Sequence, residues 1–461
     1  MLVNFSLRGG ILNTEILDFL HKVNLKSLEL KLKDVKIFAK HSLEKEYEVD
    51  LINQNELSYT ESDENEFLIK VLNTSEEVRT FYTSSKEFDI IQTFLIDSVR
   101  LSRQYDSHCT NDFSYDDYVS LKKREKLEDL NKQQLLRRFL EVKEKLNALY
   151  PQITILNAKY YHLLSEHYSS NLHEGCKVQQ QSIYGFLIHV KYHTIEKSFI
   201  SYSKENPFGI LLDSLIINFN RLKKRAGLIA KNEINGVYNT ILLNTAAAKI
   251  LSSFSSVFFA DTVEGKYLTK SLGEKVASDL INIYDDPTCN EGLVNSIFDF
   301  EGNYSQQVVL VKNGFLNNLL HNNETAKLFE TYSNGHGYRE NLESNIRVSS
   351  TNMYIKKGKT SIKKMMKNLH TGIVLDTIYA TNSGIDLITG DFSVLADGYF
   401  KRSNGEKLRL DGVLVSGNFL ELLNGVEDIS DDFCYDNSSL INGCFGSPSL
   451  LVNKLKVSIN N

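Results

Sequence analysis

The spacing of apolar and polar residues changes several times along the chain. Helical spacing marks two N-terminal segments, 15–23 and 86–105. Strand-like composition marks three others, 27–39, 67–71 and 78–82. These elements predict an N-terminal α/β domain with a mixed sheet over residues 1–106, within a chain of the α+β class.

The clearest helical pattern covers residues 121–150. Its apolar positions are Leu127, Leu130, Leu135, Leu136, Phe139, Val142, Leu146 and Leu149, and Pro151 ends it. The spacing is not a sustained heptad, so we expect an amphipathic helix packed on a core rather than a coiled coil. Residues 153–202 are rich in aromatic and β-branched residues, and residues 208–229 return to helical spacing. We therefore predict a central helix and an antiparallel sheet over residues 107–235.

The last predicted domain, residues 236–461, is dominated by short strands and turns. A short strand at 237–243 precedes an Ala-rich helix. Asn313-Gly314 and Asn404-Gly405 each separate two strand-like runs, which is a strong hairpin signal. Residues 362–368 and 419–424 read as short helices. This order predicts a β-rich, barrel-like domain.

Composition and charge narrow the class of protein. The net charge of −6 gives no basic stripe, which argues against nucleic-acid binding. No apolar run approaches the ~20 residues of a membrane span, and the first residues lack the pattern of a signal peptide. We expect a cytoplasmic protein that contacts neither membrane nor nucleic acid. The five cysteines form no C-x-x-C pair, so neither a disulfide framework nor a zinc ribbon is expected.

The spacing of several histidines raises the question of whether they bind a metal ion. His189 and His193 are four apart, but their surroundings read as a strand, which would separate them by roughly 13 Å. They could not then share one ion. His162 and His167 suit neither a helix face nor a strand face. A turn-like cluster contains His173, Glu174 and Cys176, and surface positions explain it equally well.

Two further features carry candidate chemistry. A glycine-flanked loop contains Asn334-Gly335-His336-Gly337-Tyr338-Arg339, and such a loop can approach a ligand closely. An ordinary turn explains it too. An acidic set consists of Asp285, Asp286, Asp299 and Glu301, which could hold a hard cation or transfer protons. Asp-Asp-Pro and Glu-Gly are also common turns, so a structural role is favoured.

Six short stretches of the C-terminal half have a recognisable order. They are Leu272-Gly273-Glu274-Lys275-Val276-Ala277-Ser278, Tyr284-Asp285-Asp286-Pro287, Phe298-Asp299-Phe300-Glu301-Gly302, Ser350-Thr351-Asn352-Met353-Tyr354, Thr389-Gly390-Asp391-Phe392-Ser393 and Val415-Ser416-Gly417-Asn418. In order and approximate spacing they resemble the TldD/PmbA (TldE) family of peptide-cleaving proteins. The resemblance is specific from residue 236 onward and diffuse before it.

The resemblance draws attention to a missing motif. In the TldD half of the family, an H-E-x-x-x-H zinc motif lies on the helix that corresponds to residues 246–257 here. That segment contains no His, Glu or Asp, whereas a hydrolytic zinc site needs about three protein ligands and a general base. Cys444 is too close to the terminal strand to match the cysteine that completes the family's zinc shell. The chain therefore resembles the PmbA/TldE subunit, with no catalytic or metal-binding residue of its own.

The resemblance implies a heterodimer in which a TldD-like partner carries zinc and cleaves an unfolded or leader peptide. This chain would enclose and bind the peptide, without a cofactor of its own. The candidate substrate-binding residues are His336, Tyr338, Arg339, Asn352 and Tyr354. Two alternatives stay open, an autonomous peptide hydrolase with an unrecognised metal site and a non-enzymatic regulator or scaffold. Homodimerisation is also open, and the sequence does not identify the substrate, the cleavage site or the partner.

Overall fold

The computed structural model of the protein describes residues 13–52, 57–72, 78–100, 131–173, 175–192, 195–204, 208, 216, 234–262, 272–379, 381–438 and 443–458. The predicted linker at 106–118 lies outside this part of the chain. So does the predicted helix at 208–229, apart from two positions, and the first third of the predicted helix at 121–150. No helix in the described part is both long and apolar enough to cross a membrane.

The N-terminal half is built on one six-stranded sheet with the order β3-β2-β1-β4-β5-β6. Its strands are β1 (Asp34–Asp50), β2 (Leu57–Leu72), β3 (Val78–Thr83), β4 (Ile153–Asn171), β5 (Gly175–Tyr192) and β6 (Ile195–Ser203). Strands from the predicted segments 1–106 and 107–235 thus share one sheet. Every pairing in it is antiparallel, so the predicted mixed character of the N-terminal sheet is wrong. The links from β1 to β2, β4 to β5 and β5 to β6 are only a few residues long, and such links join antiparallel strands.

Helices cover one face of this sheet at two places. The first pair, α1 (Thr14–Glu29) and α2 (Phe88–Arg100), packs over one end of β1 and β2. The third, α3 (Lys132–Leu149), packs over the other end through Leu135, Phe139, Val142 and Leu146. Asn131 and Gln134 form a capping box at its start, and Pro151 follows its end. The apolar face predicted for this helix is therefore the face that it buries against the sheet.

One predicted strand is partly wrong. Residues 27–29 continue α1 rather than starting a strand, and β1 begins only at Asp34. Val23 and Ser27 are both buried, and the Ser27 hydroxyl donates to the Val23 carbonyl one helical turn earlier. Burial along the helical face therefore outweighs the local strand propensity of this segment.

The C-terminal half contains a second six-stranded sheet, a two-stranded hairpin and a barrel. The strands are β7 (Gly236–Leu242), β8 (Ile283–Asp285), β9 (Val308–Lys312), β10 (Phe315–Leu316), β11 (Gly337–Tyr338), β12 (Arg347–Val348), β13 (Asn352–Ile355), β14 (Gly372–Tyr379), β15 (Asp391–Lys401), β16 (Lys407–Asn418), β17 (Val426–Ile429), β18 (Cys434–Asp436), β19 (Cys444–Ser447) and β20 (Leu450–Ser458). The helices are α4 (Asn244–Phe254), α5 (Asn323–Leu328), α6 (Ile362–Asn368) and α7 (Phe419–Asn424), with 3-10 turns at Ser255–Phe258 and Ala260–Thr262. The predictions of short helices at 362–368 and 419–424 are confirmed.

The barrel closes through five strands. Their order is β16-β15-β14-β7-β20, and β20 pairs back onto β16. The other sheet has the order β10-β9-β8-β13-β19-β18. A single apolar core joins the barrel interior, α4 and this second sheet. The α+β class and the barrel-like C-terminal domain predicted from the sequence are confirmed.

Both predicted Asn-Gly hairpins form. At the tip between β9 and β10, Asn313 and Gly314 have φ angles of 50° and 81°, as the short hairpin turn requires. A Cβ on Gly314 would lie 2.3 Å from the Ala277 carbonyl oxygen. Glycine is therefore required both for the positive φ angle and for this close approach. Between β15 and β16, Gly405 has a φ of 85°.

Candidate functional site

The predicted loop histidine, His336, lies inside the protein rather than in an open cleft. Its side chain is fully buried, and Nε2 lies 2.9 Å from Oδ1 of Asp285, which is also fully buried. Nδ1 lies 3.0 Å from both the backbone and the side-chain oxygen of Asn334. Both ring nitrogens are therefore used within the chain.

Asp285 joins three segments of the C-terminal domain. It ends β8, faces His336 beside β11, and accepts hydrogen bonds from the backbone amide and the hydroxyl of Thr351 just before β13. The loop that carries His336 turns at Gly335, where φ is 76° and a Cβ would lie 2.5 Å from the Ser305 Cα. The glycine of this loop thus permits close packing of two backbones.

The other members of the acidic set also brace turns. Asp299 accepts from the amides of Glu301, Asn303 and Gly337, and Glu301 accepts from the amide of Asn323 at 2.7 Å. Burial raises the pKa of both carboxyl groups despite these hydrogen bonds. Asp286 accepts from Thr288 and Gln307. Within the described ranges, no three His, Cys, Asp or Glu side chains come close enough together to hold a metal ion.

Asn352 holds the loop at residues 286–294. Its amide nitrogen donates to the carbonyls of Asp286 and Val294 at 2.7 and 2.8 Å, and its oxygen accepts from the Val294 amide at 3.0 Å. A Cβ on Gly292 would lie 2.2 Å from that oxygen, so the loop closes tightly around the side chain. These bonds direct the polar atoms of Asn352 at this loop.

Tyr354 belongs to a partly exposed aromatic wall on the second sheet. We define this wall as Tyr284, Tyr354, Phe433 and Tyr435. The first two rings stack at 5.5 Å, and the Tyr354 ring meets the last two edge-to-face at 6.1 and 6.3 Å. Burial, followed by nearby Asp286, raises the pKa of Tyr354 to about 12, so its hydroxyl stays protonated at neutral pH. Of these four residues only Tyr354 belongs to the binding set predicted from the sequence. The sequence signal for Tyr284 is its place in the family-like stretch Tyr284-Asp285-Asp286-Pro287.

Tyr338 and Arg339 lie where the hairpin of β11 and β12 meets the N-terminal sheet. Burial raises the pKa of Tyr338, and its hydroxyl has no hydrogen-bond partner among the described residues, although Ser296 and Ser305 are near. The Arg339 guanidinium lies over the Phe38 ring, 5.9 Å from its centre. The structure therefore places Tyr338 and Arg339 at the junction of the two halves. Their side chains take no part in the hydrogen bonds that hold His336 and Asn352.

The helix that would carry a zinc motif has an apolar buried face. Its inward residues are Ala246, Ala247, Ala248, Ile250, Leu251 and Phe254. All of them except Ala248 belong to the core shared with the barrel. None of these side chains offers a nitrogen, oxygen or sulfur ligand for zinc.

Cys444 lies at the start of β19, opposite Asn352 of β13. It is fully buried, and burial raises the pKa of its thiol to about 12. A thiol held in this state is a poor nucleophile and a poor metal ligand, because both roles use the thiolate. The structure thus provides no activation for Cys444.

The other histidines that the sequence analysis considered for metal binding lie, where described, on or beside the N-terminal sheet. His189 lies on β5 with Ser198 and Glu196 across the strand pair, and His193 is outside the described residues. His162 contacts the Ser182 hydroxyl at 2.9 Å. Burial lowers the pKa of His167 to about 3, so that ring is neutral against Phe300. Of the polar turn, His173 is exposed and Cys176 half-buried, while Glu174 lies outside the described part.

Comparison with known proteins gives a consistent relationship. Residues 235–459 match the family described as the PmbA/TldA metallopeptidase C-terminal domain. A metalloprotease of Methanothermobacter thermautotrophicus is 30% identical over 45% of this chain and 43% of its own length, so the match spans less than half of that relative. A zinc metalloprotease TldD homolog of Saccharolobus solfataricus is 24% identical over 74% of this chain and 77% of its own.

A solved structure shares the fold along nearly the whole chain. TldE from Thermococcus kodakarensis superposes with a TM-score of 0.75 at 16% identity, covering 96% of this chain and all of that one. At this identity the likeness concerns the fold alone. The ordered motifs of residues 272–418 all lie within the segment that the family model matches: residues 235–459 form a C-terminal domain of the PmbA/TldD metallopeptidase family.

Proposed function

We propose that this chain is a metal-free, cytoplasmic subunit of a TldD/TldE-type heterodimer that binds and encloses an unfolded or leader peptide for cleavage by a zinc-bearing partner. The observation that carries the proposal is the apolar buried face of α4. A zinc-hydrolase helix directs ligands and a general base toward its site. The corresponding face here consists of alanine, isoleucine, leucine and phenylalanine packed in the core.

The chemistry of the other candidate groups supports a subunit without its own reaction. His336 and Asp285 bond to each other and to neighbouring segments, which leaves neither side chain facing solvent. The pKa of Cys444, about 12, keeps its thiol protonated. A catalytic base or nucleophile must be able to reach a substrate atom, and these groups are enclosed.

We propose that the peptide binds to surfaces of the C-terminal half that remain partly exposed to solvent. The aromatic wall offers partly exposed rings that can pack on side chains of many kinds. An extended peptide held by main-chain hydrogen bonds beside such a wall would be bound with little sequence preference. Tyr354, Tyr338 and Arg339 are the members of the predicted binding set that we retain for this role.

The test compares the purified chain alone with the chain coexpressed with a TldD homologue from the same genome. We expect the chain alone to be a metal-free protein without peptidase activity. The mixture should form a 1:1 complex by light scattering, contain one zinc per heterodimer by plasma mass spectrometry, and cleave an unfolded peptide. A matched control replaces the glutamate of the partner's zinc motif, which should abolish cleavage and preserve the complex.

Two results would contradict the proposal. Stoichiometric zinc or peptide cleavage by the chain alone would support an autonomous hydrolase instead. A stable complex that never cleaves any peptide, with a zinc-loaded partner, would favour the regulatory or scaffold alternative. A homodimer of the isolated chain that dissociates when the partner is added would agree with the proposal.

A further inference from the structure

Arg339 has an unusual set of partners for a half-buried cation. Its Nη1 donates to the Leu342 carbonyl oxygen at 2.9 Å, and its Cζ lies 5.9 Å from the centre of the Phe38 ring. Nε and Nη2 are buried and have no hydrogen-bond partner among the residues that the structure describes. Buried donors of a charged group are normally paired, so this edge of the guanidinium is a site in need of an acceptor.

The unpaired edge has the shape of a bidentate donor. In arginine, the N–H of Nε and one N–H of Nη2 are parallel and point away from the same side of the guanidinium plane. This side matches the two oxygens of a carboxylate. The opposite nitrogen, Nη1, is fixed by Leu342, and the ring of Phe38 supports the guanidinium. The fork is therefore held in one orientation before any ligand arrives.

Two lysines increase the positive charge at this place. Lys36 and Lys70 lie directly opposite each other on β1 and β2, an arrangement in which like charges destabilise a sheet. Burial, then the charge of Arg339, lowers the pKa of Lys70, and Lys36 acts in the same direction. In the described part of the chain, no carboxylate lies within ion-pair distance of Lys36, Lys70 or Arg339.

Glu301 is the carboxylate whose charge acts on both Lys70 and Arg339, but it does not neutralise Lys36, Lys70 and Arg339. Its charge opposes the lowering of the pKa of Lys70 and Arg339, yet it forms an ion pair with neither. Its Oε2 instead accepts from the Asn323 amide at 2.7 Å. The charge of Asp299 also acts on Arg339, but this carboxylate accepts from three backbone amides. Both carboxylates are thus held by other partners.

The hairpin loop that carries Arg339 is fastened to the N-terminal sheet. The Leu342 amide donates to Glu66 at 3.2 Å, and Lys40 donates to the Glu340 carbonyl at 3.1 Å. Phe38, Leu68 and Leu342 form a small apolar cluster beneath it. Arg339 therefore lies on a loop that is fastened to the two strands that carry Lys36 and Lys70.

From this geometry we propose that Arg339, assisted by Lys70 and Lys36, binds a carboxylate of a peptide at the junction of the two halves. The carboxylate is either the C-terminus or an acidic side chain. The inference rests on the proposed function, because it names the peptide feature that the subunit recognises. A bidentate carboxylate would pair both free guanidinium donors and reduce the repulsion among the three cations.

Three fluorescent pentapeptides test the idea on the full chain by anisotropy at low salt. The first is neutral with a free C-terminal carboxylate, the second is its C-terminal amide, and the third is the amide with one central glutamate. We expect the first or third to bind about tenfold more tightly than the second, as a charged bidentate contact predicts. Whichever binds identifies the source of the carboxylate.

Variants then assign the contact. Arg339→Gln should remove the preference for a carboxylate, Arg339→Lys should keep part of it, and Lys70→Gln should reduce it. The matched control Lys356→Gln removes an exposed lysine beyond β13 and should keep it in full. If Arg339→Gln does not fold, Lys70→Gln and the loss of preference at high salt carry the test.

The inference is overturned if the wild-type chain binds all three peptides equally or binds none. It is also overturned if Arg339→Gln retains the tenfold preference. These results are separate from the heterodimer test, because a complex that cleaves peptide without carboxylate preference would refute only the carboxylate site.

Discussion

Oδ1 of Asp285 lies 2.9 Å from Nε2 of His336, and both side chains are completely buried. Thr351 adds two donors to the same carboxylate, so strands β8 and β13 and the turn before β11 meet at one charged group. This pair explains why a loop with the composition of a binding site is part of the interior. A buried carboxylate with these partners stabilises one arrangement of the surrounding segments only if all of the partners are present.

Replacement of Asp285 should therefore be strongly destabilising. We expect Asp285→Ala to lower the free energy of unfolding by about 3 kcal/mol, because it leaves a buried imidazole and two donors without their acceptor. Urea unfolding followed by circular dichroism measures the change. Asp279→Ala, at an exposed ion pair with Lys275, is the control and should change the midpoint little. An equal effect of both variants would contradict the assignment.

Asn352 should act on one loop rather than on the whole fold. Asn352→Ala removes three hydrogen bonds to residues 286–294 and should destabilise the protein by roughly 2 kcal/mol. Hydrogen exchange should accelerate most strongly in this loop. The control is Asn404→Ala, which removes one exposed turn contact to Glu406 and should leave exchange at residues 286–294 unchanged. Uniform acceleration along the chain would argue against a local role.

The carboxyl of Glu301 should make stability depend on pH in a defined direction. Burial raises its pKa above the ordinary value of 4.5, so the folded chain binds more protons than the unfolded chain just above that pH. Stability therefore falls as pH rises through this window. Glu301→Gln can still accept from Asn323 and lacks the titration. The melting temperature of the wild type relative to this variant should decrease from pH 4.5 upward, and a constant difference would refute the shift.

Cys444 should be protected from alkylation in the native protein. Burial raises the pKa of its thiol to about 12, which leaves almost no thiolate at pH 8. Mass spectrometry after a brief iodoacetamide treatment should find Cys444 unmodified, although it should react readily in urea. The half-buried Cys434 provides the internal comparison in the same digest. Labelling of native Cys444 at the rate found in urea would show that the thiol is accessible.

Sequence patterns were reliable where a local rule decides the structure. The hairpin at Asn313-Gly314 forms as predicted because both residues adopt the positive φ angles that the turn requires. The helices predicted at 362–368 and 419–424 form with those bounds. Patterns failed where partners distant in sequence decide. The sequence predicts a mixed N-terminal sheet, but β1 pairs with β4 more than a hundred residues later, and every pairing in this sheet is antiparallel.

The binding residues divide in the same way. The loop at 334–339 and the segment at 350–354 were visible as glycine-rich and family-like stretches, but the sequence could not distinguish their inward from their outward side chains. The polar atoms of His336 and Asn352 form hydrogen bonds within the protein, to Asp285 and to the loop at 286–294 respectively. Tyr284 stacks on Tyr354, and the charge of Arg339 lowers the pKa of Lys70, only because separate strands and a hairpin are folded against one another.

The sequence alone determined the family of the C-terminal domain, the α+β class and the absence of zinc ligands from the segment at 246–257, since each depends on residue identity and short-range order. Only the tertiary structure decided that the segment's inward face is packed apolar core, that His336 is enclosed, and that the Arg339 guanidinium lies over Phe38 of the other half. The physical reason is that burial and charge proximity arise from contacts between distant segments, which no local pattern encodes.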